Sequence, residues 1–425
     1  MKKSRFISIV FSVLWGAVLF TGCAGAKNIV FDANDSQNAT KTDLTFFGYK
    51  YEALNVLAIE DALHGYMDKY PDVNITYDGI KSPEYFDILA KRIKTGNTDD
   101  IFMVDHERAL ELGQQNKLAD LSKLSTIGDF SDLVKSQMTA GDGVIHYLPT
   151  SISAFGLYCN LDLLKAHKQK TPTNLAEFEE VCKYFVRHNI TPIVANNDIS
   201  LKTIAIAKAM LPVYQSSDPS AILHQFNSGE RNFAENMRQG FELVERMIDN
   251  FWINPNEAVN TAKTKDDLVI FAKGEQPFML TGAWAAPRLR ELNSKMKFVV
   301  SPYPILDNGS VMVMNVDTRI SINAESAHID EAKSFAEYMT SKDVIWEVAD
   351  SLSSFSPLKD ERLSTDAAVQ SLNPYLTNGY GVLGSDDNLL FPVWDYTRQC
   401  IVAMLKGATA QQAVDLLQNL IQGVS

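Results

Sequence analysis

Four cysteines are all that the 425 residues carry, and no two of them form a CxxC pair. That scarcity excludes a disulfide-built scaffold and a thiolate zinc site. The seven histidines are scattered, with no pair at metal-ligating spacing. His106-Glu107 lacks the second histidine that a zinc helix requires. A GxSxG nucleophile elbow, a phosphate-binding loop and an EF-hand loop are also missing. Catalytic groups can converge from distant positions, so these gaps weigh against an enzyme without closing the question. No cofactor or metal is expected. Beyond residue 22 no segment approaches the roughly 20 apolar residues of a membrane-spanning helix. Internal repeats are absent as well. Basic charge is in short supply, 39 Lys and Arg against 52 Asp and Glu, for a net charge of −13. Such a surface repels phosphate backbones, which argues against a nucleic-acid partner.

What is present begins at the N-terminus. Met1–Arg5 is basic, Phe6–Phe20 is almost continuously apolar, and Thr21-Gly22-Cys23 follows. This is the layout of a secretory signal peptide, with an apolar run of about 15 residues, too short to span a bilayer. Phe20-Thr21-Gly22-Cys23 resembles a bacterial lipobox, with Phe20 where leucine is usual. The resemblance implies that residues 1–22 are removed and that Cys23 is acylated. Two or three acyl chains would hold the chain on the outer face of the cell membrane, where a single chain is marginal. A plain signal peptide with an incidental cysteine is the alternative. Residues 23–42 read as a flexible tether. Cys159, Cys182 and Cys400 are odd in number and far apart, so buried free thiols are expected.

The rest alternates strand and helix patterns. Leu44–Phe47 reads as a strand. Val56, Ile59, Leu63, Tyr66 and Tyr70 space an amphipathic helix that Pro71 stops. Val73, Ile75 and Tyr77 alternate as a second strand, Tyr85–Lys94 is a helix, and Ile101–Val104 is a short apolar strand. That order predicts a doubly wound α/β lobe. Tyr147–Asn160 is a long β-like run. Asn174 with Glu177 opens a helix in the manner of a capping box. Gly229–Phe251, Lys265–Lys273, Glu331–Met339 and Ala413–Val424 look helical. Pro277–Leu280, Val311–Val316 and Arg319–Ile322 look extended. Asp99-Asp100 and Asp386-Asp387 read as solvated or capping acids.

Several of these segments, in order, resemble the family 1 extracellular solute-binding proteins, the maltose-binding-protein-like lipoproteins of carbohydrate ABC importers. They are Tyr66–Val73, Gly96–Ile101 without the usual Pro, Leu148-Pro149 with Gly156–Asn160 and Asp162–Leu164, Thr171–Asn174 with Glu177-Phe178, Phe271–Glu275 with Gly282–Trp284, and Ala332–Met339 with Ser356-Pro357. The resemblance implies an α/β fold of two doubly wound lobes joined by a multi-strand hinge, with a ligand in the cleft. It places lobe I at 43–150 plus 305–352 and lobe II at 151–304 plus 353–425. It implies capture of a sugar or oligosaccharide, delivery to permease subunits, and a monomer.

Sugars present hydroxyls and a weakly apolar ring face, so aromatic platforms beside polar groups are the pattern to seek. Trp284 follows a strand-ending glycine, as the family's cleft tryptophan does, and Trp394 stands where relatives place a cleft aromatic. Trp252 and Trp346 read as core. Open α/β sheets bind ligands at the carboxyl ends of strands. That rule nominates Asp105 and His106 after the third strand, Tyr49 after the first and Tyr85 after the second. Ser151 at the expected hinge, Asn315 at the end of a β-like run and Phe355 complete the set. Asp105 reads equally well as a helix cap. Three alternatives stay open: a binding protein for a polyamine, peptide or metal, a surface hydrolase, and an adhesin or signalling partner.

Overall fold

The computed structural model describes residues 29–32, 41–81, 84–263, 265–359 and 362–423. The signal segment and Cys23 lie outside the described residues. Eleven strands form one sheet. They are β1 (Ile29–Asp32), β2 (Thr42–Gly48), β3 (Val73–Gly79), β4 (Ile101–Val104), β5 (Leu148–Asn160), β6 (Ile193–Val194), β7 (Phe278–Gly282), β8 (Phe298–Ser301), β9 (Tyr303–Leu306), β10 (Gly309–Ile322) and β11 (Gly381–Leu383).

In the first lobe β2 runs parallel to both β3 and β4. The helices Ala53–Lys69 and Glu84–Thr95 make the crossovers. Leu63, Tyr66, Tyr85 and Leu89 are the buried faces of those helices, as their 3.6-residue spacing requires. In β3 the buried residues alternate, Val73, Ile75 and Tyr77 pointing inward. The second lobe gathers β6 and β7 in parallel, with β8, β9 and β11 on the outer parts of β5 and β10. Two apolar clusters follow. One fills the first lobe and continues along one face of the second-lobe sheet through Leu268, Phe271, Met279 and Leu289. The other covers the opposite face, with Phe278, Leu280, Phe241, Trp252 and Leu417. Alternation within β5 shows the switch, since Phe155 and Leu157 join one cluster and Ala154 and Tyr158 the other. The three described cysteines are buried free thiols, and burial pushes Cys159 and Cys400 up to about 12. No described helix is long and apolar enough to cross a membrane.

The expected boundaries need correcting. Residues 29–32 are not tether: they form β1, which pairs antiparallel with β3. Ile29-Val30-Phe31 is a β-prone triplet that the polar composition around it masked. The second crossing lies inside β10 rather than at residue 305, because Tyr303, Ile305, Val311 and Val313 belong with the second cluster. The return at 352 comes later. Ser131 N–H donates to Pro357, Lys359 N–H donates to Asp129, and Leu358 bridges Phe130, so residues to 359 stay with the first lobe. The two extended runs at 311–316 and 319–322 are one strand, kinked at Thr318. Gly229–Phe251 is not one helix but the pieces Phe233–Asn236 and Arg238–Asp249. At 174 only half a capping box forms. Asn174 accepts from Glu177 N–H at 3.0 Å, while the Glu177 carboxylate takes Thr173 N–H at 2.8 Å.

Gly240 marks a close approach of two helix backbones. It lies where Arg238–Asp249 meets Ser200–Tyr214, and a Cβ there would overlap the backbone of Ala205. Overpacking of this kind costs about 1–3 kcal/mol. Gly240→Ala is therefore expected to lower the melting temperature by several degrees. Gly128→Ala, where a Cβ meets nothing within 4 Å, should leave stability within about 0.5 kcal/mol. Equal melting curves for the two variants would contradict this packing.

Candidate functional site

Between the lobes the sheet opens into a cleft of two adjoining cavities, with volumes of about 660 and 250 Å³. Its floor is the antiparallel pairing of β5 and β10, registered from Leu148–Ile320 to Phe155–Val313. The smaller cavity brings together Tyr49, Asp105, His106, Asn315, Trp284 and Trp394. Six of the nine residues nominated from sequence therefore meet at one place.

The aromatic part is a triplet. Phe155 receives Trp284 edge-on at 5.0 Å and 84°, and the Trp394 ring at 5.2 Å. Glycine makes both approaches feasible. A Cβ at Gly282 would overlap the Trp284 ring, so the indole folds back over its own strand end. A Cβ at Gly384 would sit 2.5 Å from Trp394 and 2.9 Å from Asn315 Oδ1. The Lys202 ammonium lies 3.9 Å above the Trp394 ring, a cation–π contact. Burial pushes Lys202 down to about 8, against the opposing pull of its ion pair with Asp198 at 2.7 Å.

The polar part centres on Asp317. Its carboxylate accepts from Ser153 Oγ at 2.6 Å, Thr318 N–H at 2.7 Å and the Tyr49 hydroxyl at 3.1 Å. Lys50 stands 3.7 Å away. Burial alone would raise this carboxyl, but Lys50 and the three hydrogen bonds outweigh it and hold it at about 2. Burial and Asp317 push the Tyr49 hydroxyl well above its ordinary value. Asp105 caps the helix His106–Gln114 by accepting from Arg108 N–H at 2.8 Å, and its side chain still faces the cavity. Asn315 Oδ1 accepts from Ser385 N–H at 2.8 Å. His106 bridges Asp387 Oδ1 at 3.0 Å and the Leu389 carbonyl at 3.2 Å. Across the wider cavity Glu52 of the first lobe pairs with Arg288 of the second. Among the described residues no group of three His, Cys, Asp or Glu side chains could hold a metal ion.

Residues 61–373 match the profile described as bacterial extracellular solute-binding protein. The chain belongs to that family. Its members are binding components of transport systems. Among curated relatives, a maltodextrin-binding protein of Bacillus subtilis is 23% identical over 57% of this chain and 56% of its own length. A maltooligosaccharide ABC transporter solute-binding lipoprotein of Streptococcus pneumoniae is 25% identical over 43% of this chain and 40% of its own. The chain thus spans about half the length of these curated relatives. Among solved structures, the solute-binding protein RafE in complex with raffinose superposes with a TM-score of 0.71 at 19% identity, covering 90% of this chain and all of that one. A Listeria monocytogenes ABC substrate-binding protein in complex with cycloalternan gives 0.68 at 17%, covering 90% and 98%. At these identities the structural likeness establishes the fold, two α/β lobes about a hinge, as the solute-binding family has it.

Three nominated residues do not reach the cleft. Tyr85 is fully buried, its hydroxyl donating to the Met103 carbonyl at 2.6 Å and accepting from Met103 N–H at 2.9 Å. It supports Tyr49 from below, ring to ring at 5.6 Å. Phe355 is 3% exposed and pairs by its backbone with Ile152 in the first-lobe core. Ser151 lies buried in the hinge, its hydroxyl 3.1 Å from that of Thr318. Trp252 is core, whereas Trp346 is half-buried beneath Arg362. Asp386-Asp387 is not solvated. Asp387 pairs with Arg319 at 2.9 Å and with Tyr147, and Asp386 accepts from Tyr214 at 2.6 Å. Sequence reasoning missed Asp317 and Arg319, although two charges inside the apolar run of β10 were a visible signal. It also missed Ser153, Asp198 and Lys263, which carry no local signal.

The depressed Asp317 carboxyl fixes the sign of a pH effect. Its folded pKa is below the unfolded value near 3.9, so its charge stabilises the fold above about pH 4, and that contribution is lost as pH falls toward about 2. Asp317→Asn is expected to melt lower than the parent at about pH 6, with the gap closing over this acid window. Circular dichroism melts across the range check it, and a gap that stays constant down to about pH 2 would refute it.

Proposed function

We propose that this protein captures a sugar or oligosaccharide in the interlobe cleft and hands it to the permease subunits of an ABC importer. The observation that carries the reading is the Trp284–Phe155–Trp394 triplet, set beside a fixed array of hydroxyl, amide and carboxylate groups on the cleft floor. Indole faces take the apolar side of a sugar ring, and planar polar groups take its hydroxyls. The relatives named for maltodextrin, maltooligosaccharide and raffinose point the same way. Guest contacts from both lobes would stabilise a closed form, which docks on the permease and releases its cargo. The chain acts as a monomer and turns nothing over. Cys23 carries the lipid anchor that holds it on the outer face of the cell membrane, with residues 1–22 removed. The polyamine alternative loses support because basic residues outnumber acids around the larger cavity.

A thermal-shift screen with mono- and oligosaccharides tests the reading. A ligand at 100 times its dissociation constant adds about 2.7 kcal/mol of stability. At least one carbohydrate should raise the melting temperature of the parent, and Trp284→Ala should abolish the shift. A broad glycan library that leaves the transition unmoved would overturn the assignment.

A further inference from the structure

The chain is strongly acidic, yet its cleft is not. The larger cavity is lined by five basic residues, Lys50, Lys81, Lys263, Lys265 and Arg288. Among the described residues three acids face them, Glu52, Asp198 and Asp317. Each of those acids is already engaged. Glu52 pairs with Arg288, Asp317 with Lys50, and Asp198 with both Lys202 and Lys263. Lys81 and Lys265 are left exposed, with no carboxylate in ion-pairing reach among the described residues. The floor of the adjoining cavity adds an unmet donor. Arg319 is 4% exposed, and its Nη1 has no hydrogen-bond partner while its Nη2 holds Asp387.

We infer that the guest is an oligosaccharide bearing an anionic substituent, a carboxylate or a sulfate. The inference rests on the sugar reading above and narrows it. Lys81 comes from the first lobe, at the end of β3, while Lys263 and Lys265 come from the second. Closure around a neutral guest brings these like charges together. Closure around an anion lets one group attract cations from both walls, so the charge itself favours the closed form. A cleft of net positive charge between low-dielectric walls also focuses the field and speeds capture of an oppositely charged ligand. A whole-molecule charge of −13 would repel the same ligand elsewhere, which confines the attraction to the cleft.

The test is calorimetric titration of the mature protein with three probes of equal length: a neutral maltotriose, a trigalacturonate and a sulfated trisaccharide. At low ionic strength one acidic probe is expected to bind at least about ten-fold more tightly than the neutral one. The advantage should shrink as salt is raised, because partly exposed charges are screened over about 10 Å at 0.1 M. Whichever acidic probe wins identifies the substituent. The double variant Lys81→Ala/Lys265→Ala should lose about ten-fold for that probe and flatten its salt dependence. Lys273→Ala removes the same kind of charge outside the cleft and should change neither. Both lysines of the double variant are exposed, so an unaltered melting curve verifies that it folds. Equal or tighter binding of the neutral probe, or unchanged acidic affinity in the double variant, overturns the inference while the sugar reading stands. Failure of all three probes, and of the wider library, brings down both.

Discussion

The pairing of β5 with β10 is the constraint from which the rest of the molecule follows. Two antiparallel strands of 13 and 14 residues serve the first lobe with one end and the second lobe with the other. Their shared middle is both the hinge and the floor of the cleft. The ladder is regular except at Thr318, a β-branched residue in the left-handed region at φ 48°. Such a conformation costs about 1–3 kcal/mol and persists only where its surroundings over-determine it. Here they do. Thr318 N–H donates to the Asp317 carboxylate, its carbonyl accepts from Thr150 Oγ1, and its hydroxyl meets that of Ser151. Side chains thus replace the ladder bonds that the kink removes. Because Asp317 is fixed by that replacement, the same strain that bends the strand also positions a carboxylate at the base of the cleft.

Behind this floor lies a second polar knot. The loop 385–389 leaves β11 and carries Asp386 and Asp387 into the interior, where Arg319, Tyr147, His106, Gln137 and Tyr214 meet them. Arg319 and His106 hold the Asp387 carboxyl below its ordinary range against the opposing effect of burial. A buried ion pair is a poor source of net stability, since desolvation offsets much of the attraction. Its consequence is geometric. Tyr147, His106 and Gln137 belong to the first lobe and Tyr214 to a second-lobe helix, so the loop ties the two lobes at the rear, while at the front the Glu52–Arg288 pair spans the larger cavity. A hinge needs one edge that does not part, and a network whose every member loses its partner on separation supplies it.

The first lobe was legible in the sequence because its strands and helices show clean periods. Val73, Ile75 and Tyr77 could be nothing but a half-buried strand, and Ile101–Val104 was short, apolar and bounded by acids. The second lobe was not, because its central helix Ser200–Tyr214 is buried on nearly all sides and so has no polar stripe to betray its period. The strand β6 has two residues and no pattern. At the site, the strand-end rule located residues without giving direction. It nominated Tyr49, Asp105 and His106, which face the cavity, and by the same logic Tyr85, whose hydroxyl turns inward to Met103. Trp284 was legible through the glycine two positions before it. Asp386-Asp387 could not be read, because the residues that bury them, from Arg319 to Gln137, lie 68 to 250 positions away in the chain, and His106 lies farther still.

These features divide the work of recognition. The floor is pre-built: Phe155 is clamped between two indoles, Gly282 and Gly384 admit no other side chain, and Asp317 is held by four partners. Little side-chain ordering remains to be done when a guest arrives, so affinity is not spent on immobilising the platform. Under the proposed sugar reading, a rigid floor of this kind takes any ring that presents an apolar face and a row of hydroxyls, and it discriminates weakly among them. Discrimination falls to the walls, which touch through the Glu52–Arg288 pair and elsewhere face one another across the cavity. Lys81 and Lys265, on either side of the opening, are the groups whose energies a charged guest changes most, because among the described residues no carboxylate reaches their ammonium groups. On the reading proposed above, the floor sets the class of molecule that enters, and the charged walls set which member of that class the closed state keeps.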